Sequence, residues 1–264
     1  MRIFLLICIL CYSCAAHAGL LISEVACGTE GDDWVEIVYQ SNDRSSIDVS
    51  HLFVTMYYGT NESLSGFQVT LYSYNRPETP YDDRYAVVHL CRPGIPDETD
   101  LTGDADGDGH LDLYCNNYSG SLWNAECVVA IDTDDDPSNG SIDFVAWSDN
   151  DGSPSDTILS YTEHAVRTAG WISSSAVGQS CMVKVPHDGL KSYESIIRIG
   201  GVDTNSNSDF TFTSCQTPGH DNILSIPGNS SSIFNLDKKK ILIIPGDPSH
   251  PGECPITVNE KCSL

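Results

Sequence analysis

The 264-residue chain sets 37 acidic side chains against 13 basic ones, a net charge of −24. A surface of that sign repels a phosphate backbone and argues against nucleic-acid binding. The length is ample for one well-packed core with a small appendage.

Taken from the amino terminus, residues 1–18 read as a signal peptide. Arg2 supplies the positive end, Ile3 to Leu10 the apolar run, and Ala16-His17-Ala18 an A-x-A cleavage signal before Gly19. The apolar run is too short for a membrane span of about 20 residues, and processing at a lipid-modified Cys14 is the alternative. Cleavage would remove Cys8, Cys11 and Cys14 and leave Cys27, Cys91, Cys115, Cys127, Cys181, Cys215, Cys254 and Cys262. An even count in an exported chain predicts disulfides of undetermined pairing.

Strands are predicted at Leu20–Val25 and Trp34–Tyr39, with a Gly/Asp turn between them. Further β-branched and aromatic runs follow at Leu52–Tyr58, Phe67–Tyr72, Tyr85–Leu90, Cys127–Ile131, Ile142–Trp147, Cys181–Val185 and Phe210–Thr213. No long stretch shows a 3.6-residue apolar period. The pattern predicts an all-β sandwich. Trp34, flanked by Val35 and Ile37, is expected in the core, whereas Glu24 and Glu36 are expected on solvent-facing positions of their strands, with a catalytic pair as the alternative. Residues 223–240 read as a linker ending in Lys238-Lys239-Lys240. Residues 241–264 read as a short tail opening with a strand.

The chemistry-bearing segment is GDADGDGHLD, residues 103–112, within a stretch from Asp97 to Asp156 that holds no Lys or Arg. Oxygen ligands at alternate positions let one loop wrap a calcium ion. Asp104, Asp106 and Asp108 offer side-chain oxygens, Gly109 permits the sharp turn, His110 offers its backbone carbonyl, and Asp112 closes the set. In a helix–loop–helix site a glutamate would stand where Cys115 is. The loop resembles instead the shorter calcium loops that join two β-strands, as in FG-GAP repeats. Four carboxylates packed without a cation would repel one another. A second candidate is Asp132-Thr133-Asp134-Asp135-Asp136 with Asp143, in which Pro137 replaces the turn glycine.

Two blocks resemble the lamin-tail domain, an immunoglobulin-like β-sandwich carried by many exported bacterial proteins. One is Leu21-Ile22-Ser23-Glu24-Val25 with Asp33-Trp34-Val35-Glu36-Ile37. The other is Gly178-Gln179-Ser180, then Asp203 to Phe210, then Thr217-Pro218-Gly219-His220-Asp221-Asn222, with Ile142 to Trp147 fitting the middle strand. Cys181 departs from the family pattern, and residues 74–126 read as a loop insertion. The resemblance implies an immunoglobulin-like sandwich over 19–222 and no nuclear-filament role.

No H-E-x-x-H, G-x-S-x-G or phosphate-binding glycine loop is present. The histidines are scattered, and the lack of a C-x-x-C pair argues against a Cys/His zinc site. The expected function is therefore a secreted or cell-surface, calcium-stabilised, non-enzymatic module for binding, adhesion or scaffolding, with an unknown protein or surface glycan as partner and no membrane span. The alternatives are an accessory domain of an extracellular hydrolase system and a calcium-dependent hydrolase.

Overall fold

The computed structural model describes residues 19–27, 33–56, 60–64, 67–90, 94–114, 122–134, 141–149, 155–168, 182–201, 203–222, 232–236 and 239–243. The leader and Cys91, Cys115, Cys181, Cys254 and Cys262 lie outside them. In chain order the strands are β1 (Gly19–Ala26), β2 (Trp34–Gln40), β3 (Ser46–Asp48), β4 (Phe53–Met56), β5 (Thr60–Ser63), β6 (Thr70–Tyr72), β7 (Tyr85–His89), β8 (Leu111–Tyr114), β9 (Glu126–Asp132) and β10 (Asp143–Ser148). A helix α1 (Asp156–Thr168) follows, then β11 (Val183–Lys184), β12 (Ser195–Arg198), β13 (Phe210–Thr213), β14 (Ser232–Leu236) and β15 (Lys239–Ile243).

Most of these strands form two sheets. The larger has the order β13-β12-β1-β2-β7-β8, and the smaller β11-β10-β9-β4-β5. Pairing is antiparallel except for β7 with β8 and β10 with β11. One apolar core fills the space between the sheets. Ile22, Val35, Ile37 and Val88 meet Val54, Val129, Phe144 and Trp147 there. The prediction of an all-β sandwich is thus matched in its layers.

β1 is buried along nearly its whole length because both its faces are covered. Its register with β2 shifts between Ile22 and Glu24, the mark of a β-bulge. Leu20, Ile22 and Val25 therefore face the main core despite their uneven spacing, while Leu21 and Ala26 join small clusters on the opposite face. Trp34 is buried as expected, but on that outer face against Ala26 and Val87, not in the central core.

A buried polar bridge ties the two sheets through this core. Arg198 of β12 is 1% exposed and pairs with Asp143 of β10. Asp143 also accepts the backbone N–H of Ile22 at 2.6 Å, and Arg198 Nε donates to the Ile22 carbonyl at 2.9 Å. Asp203 and Asp209 stand 3.7 and 3.6 Å from the same guanidinium, whose carbon lies 4.3 Å over the Phe210 ring. An arginine fork is suited to such a site, since it offers several donors in fixed geometry.

Three expectations change. A helix, α1, exists where none was predicted: Ser155 Oγ caps it by accepting Ile158 N–H at 3.3 Å, Asp156 sits in its first turn, and Ile158 and Thr162 are fully buried. Residues 74–126 are not simply a loop insertion, because β7 and β8 come from them and β7 lies inside the larger sheet. Finally, β14 falls in the expected linker and pairs with β15 as a two-stranded hairpin.

Candidate metal centre

The outer face of the larger sheet is unusually polar. Pairing registers set Glu24, Glu36, Val87 and Asp112 side by side across β1, β2, β7 and β8, and Ala26, Trp34, His89 and Tyr114 in the next row. Side chains at paired positions share a face. The segment Ser214–Asn222 closes over the first two carboxylates. Glu24 accepts from Ser195 Oγ, from Thr217 N–H at 3.1 Å and from Thr217 Oγ1 at 2.9 Å. Glu36 accepts the N–H of Gly219.

Glu24 and Glu36 are fully buried, so the solvent-facing reading of both is wrong. The bulge and the returning segment overrule the simple alternation of an exposed strand. Burial pushes the Glu24 carboxyl up to about 7 against the pull of its Ser195 and Thr217 hydrogen bonds. Burial, and then the neighbouring Glu24, push Glu36 well above the usual carboxylate range. These carboxyls serve as anchors that hold the closing segment onto the sheet. Asn222 adds a third tie, donating to the Ser23 carbonyl at 3.0 Å and to the Arg198 carbonyl at 3.1 Å.

The aspartate loop leads into β8 at the edge of this face. Gly103, Gly107 and Gly109 all adopt positive φ, which glycine accepts without strain. The loop is wrapped on its own amides. Asp104 accepts N–H groups from Gly107 at 2.7 Å, Asp108 at 3.1 Å and Gly109 at 3.0 Å. Asp106 accepts from Asp108, and Asp108 from His110. Glu98 grips the loop from outside, accepting from Ala105 and from Asp112 N–H at 3.1 Å.

The five predicted ligands divide into two groups. Glu98, Asp104 and Asp106 bring one carboxylate oxygen each to within 4.8 Å of one another, and Asp108, His110 and Asp112 form a second group on the same criterion. Either could hold a metal ion. The first is made of oxygens alone, the donor set of a hard cation. In the second, the His110 imidazole, not only its backbone, is drawn in. Its Nδ1 lies 3.1 Å from Asp108 Oδ1 and its Nε2 3.2 Å from Asp112 Oδ1. Asp112 is also bonded to His89 Nε2 at 2.8 Å, and the His89 ring stacks on Tyr114 at 4.7 Å.

The local electrostatics follow from these contacts. Burial alone would raise Asp112, yet hydrogen bonds from His110 and His89 hold its carboxyl far below the usual range. Burial opposes a charge on His110, but Asp112 and then Asp108 raise its pKa. Burial raises Glu98 and Asp108.

The second candidate loop does not converge. Asp132 is spent on the N–H groups of Thr133 and Asp134 and on Ser141 Oγ, while Asp143 faces Arg198. Asp135 and Asp136 lie outside the described residues. Sequence reasoning missed Glu98, His89 and Arg198. Glu98 falls before the motif begins, and His89 reaches it only through the parallel pairing of β7 with β8.

No family model, no curated protein and no solved structure matches the chain. Among the described residues no helix is long and apolar enough to cross a membrane.

Proposed function

We propose that this is an exported or cell-surface β-sandwich of the lamin-tail type, stabilised by calcium, that binds a protein or glycan partner and performs no chemistry. The observation that carries the reading is the loop of residues 103–112, whose Asp104 carboxylate gathers three backbone N–H groups beside Glu98 and Asp106. A calcium ion there would be held by Glu98, Asp104 and Asp106, with Asp108 adjoining. It would neutralise carboxylates that otherwise repel one another. Loops carried by a rigid sandwich are natural recognition surfaces, and ordering one in advance lowers the entropy lost on binding.

The lamin-tail assignment draws support from contacts between the residues that carry the resemblance. Glu24 and Glu36 of the opening block bond to Thr217 and Gly219 of the closing block, and Asp143 of the middle strand meets Arg198, which faces Asp203 and Asp209. The buried cysteines Cys27 and Cys127 join the same core from the end of β1 and from β9. They are not bridged to each other in this structure; their shared place in the core supports pairing to a disulfide in an oxidising compartment.

The test is capture of extracellular-matrix proteins and surface glycans by the purified chain, with calcium and with chelator. Calcium-dependent capture is expected. Turnover of a polysaccharide, ester or phosphodiester, abolished by a single Asp or Glu substitution, would overturn the reading in favour of a calcium-dependent hydrolase.

A further inference from the structure

His110 is 5% exposed, and its Nδ1 makes no hydrogen bond. Asp108 Oδ1 is 3.1 Å away, yet the contact lacks hydrogen-bond geometry. A buried imidazole nitrogen left in this state beside two carboxylates is unusual, because buried polar atoms are nearly always satisfied. The ring is also locked in place. Gly219 packs so closely that a Cβ there would come within 2.4 Å of His110 Cβ. Gly109, with φ of +98°, turns the chain immediately before His110.

We propose that Asp108, His110 and Asp112 form a second metal site, separate from the oxygen-only group, that takes a divalent transition ion of the zinc class. Zinc bound tetrahedrally at about 2.0–2.2 Å places neighbouring ligand atoms roughly 3.3 Å apart. The 3.1 Å separation of Asp108 Oδ1 from His110 Nδ1 matches that spacing; Asp112 Oδ1 lies 3.2 Å from the other ring nitrogen, Nε2, and the three side chains each bring one ligand atom to within 4.8 Å of the others. An imidazole ligand selects zinc, cobalt or nickel over calcium, which favours oxygen alone. His89, bonded to Asp112 at 2.8 Å and stacked on Tyr114, fixes the orientation of that carboxylate, as residues behind metal ligands commonly do. Three protein ligands leave a fourth position for water or for a donor from a bound partner.

The inference does not rest on the calcium reading, and its test separates the two. Zn2+ and Co2+ are titrated into the metal-free chain in the presence of excess Ca2+, with long-range 15N spectra recording the histidine ring nitrogens. The expected result is uptake of one equivalent of Zn2+, with the His110 nitrogens moving to the metal-bound range in the wild-type chain, and a Co2+ visible spectrum of low coordination number. His110→Gln should weaken uptake at least about tenfold and His89→Gln by roughly 10–100-fold. Failure to take up Zn2+, displacement of Zn2+ by Ca2+, or uptake with the His110 nitrogens unmoved would overturn the proposal.

Discussion

Removing Arg198 should be among the most damaging single changes to this fold. Arg198→Met keeps an apolar stem of similar length and deletes only the guanidinium. Asp143, 2% exposed, then retains the Ile22 N–H but loses its counter-charge. Asp209 is better placed, because Thr204 N–H at 2.7 Å and Ser206 N–H at 3.3 Å still bond to it. Breaking a buried ion pair by removing one member destabilises by about 3–5 kcal/mol. For a chain of this size that corresponds to a fall in Tm of roughly 6–20 °C. The assay is urea unfolding at neutral pH, followed by near-ultraviolet circular dichroism. The double variant Arg198→Met with Asp143→Asn should lose less than the two single variants combined, because it leaves no orphaned charge at position 143. A loss below about 1 kcal/mol for Arg198→Met, or strictly additive losses in the double variant, would refute the claim that this ion pair joins the sheets.

Glu24 gives a pH dependence of defined sign. Its folded-state pKa of about 7 lies above the unfolded value of 4.5, so the fold binds the extra proton between them. That contribution is complete below 4.5 and is lost as pH rises through 7; Glu24→Gln should flatten the decline in urea midpoint over this window, and an unchanged decline would count against the buried acid. Gly219→Ala should destabilise by about 1–3 kcal/mol, because its Cβ would strike His110 and its φ is +73°; a melting curve identical to wild type would contradict that packing. Thiol labelling of protein recovered from an oxidising compartment, unfolded without reductant, should leave Cys27 and Cys127 unmodified, and labelling of both would show that they remain thiols.

The strands that read clearly from sequence are those with unbroken β-branched or aromatic runs. Cys127–Ile131, Ile142–Trp147 and Phe210–Thr213 became β9, β10 and β13 almost residue for residue. β8 was missed because Leu111-Asp112-Leu113-Tyr114 looks like the tail of the metal loop. β12 was missed because Arg198 ends its short apolar run and reads as a surface charge. Helix α1 carries β-branched Thr157, Ile158 and Thr162, which weaken the helical signal, although Ser155 and Asp156 form a recognisable start.

Site legibility divides the same way. The spacing of Asp104, Asp106, Asp108 and Asp112 could be read because one short loop contains them. Glu98 could not, since the backbone of residues 98–112 has to double back before its carboxylate meets the loop amides. Glu36 obeyed alternation within its strand and Glu24 follows a bulge in β1, but a segment some 180 residues away covers their face, as the ties from Gly219 and Thr217 show. Local sequence contains no record of that cover.

The central claim is that a calcium ion is part of the folded protein, and calcium titration of the metal-free chain tests it most directly. Isothermal calorimetry paired with thermal melts should show binding to the wild-type chain. At a hundredfold excess of Ca2+ over Kd, stability should rise by about 2.7 kcal/mol. Glu98→Gln and Asp104→Asn should each remove most of that gain, whereas His110→Gln should not. An unchanged melting temperature with and without Ca2+, in protein verified free of metal, would contradict the account and leave residues 103–112 as an acidic turn.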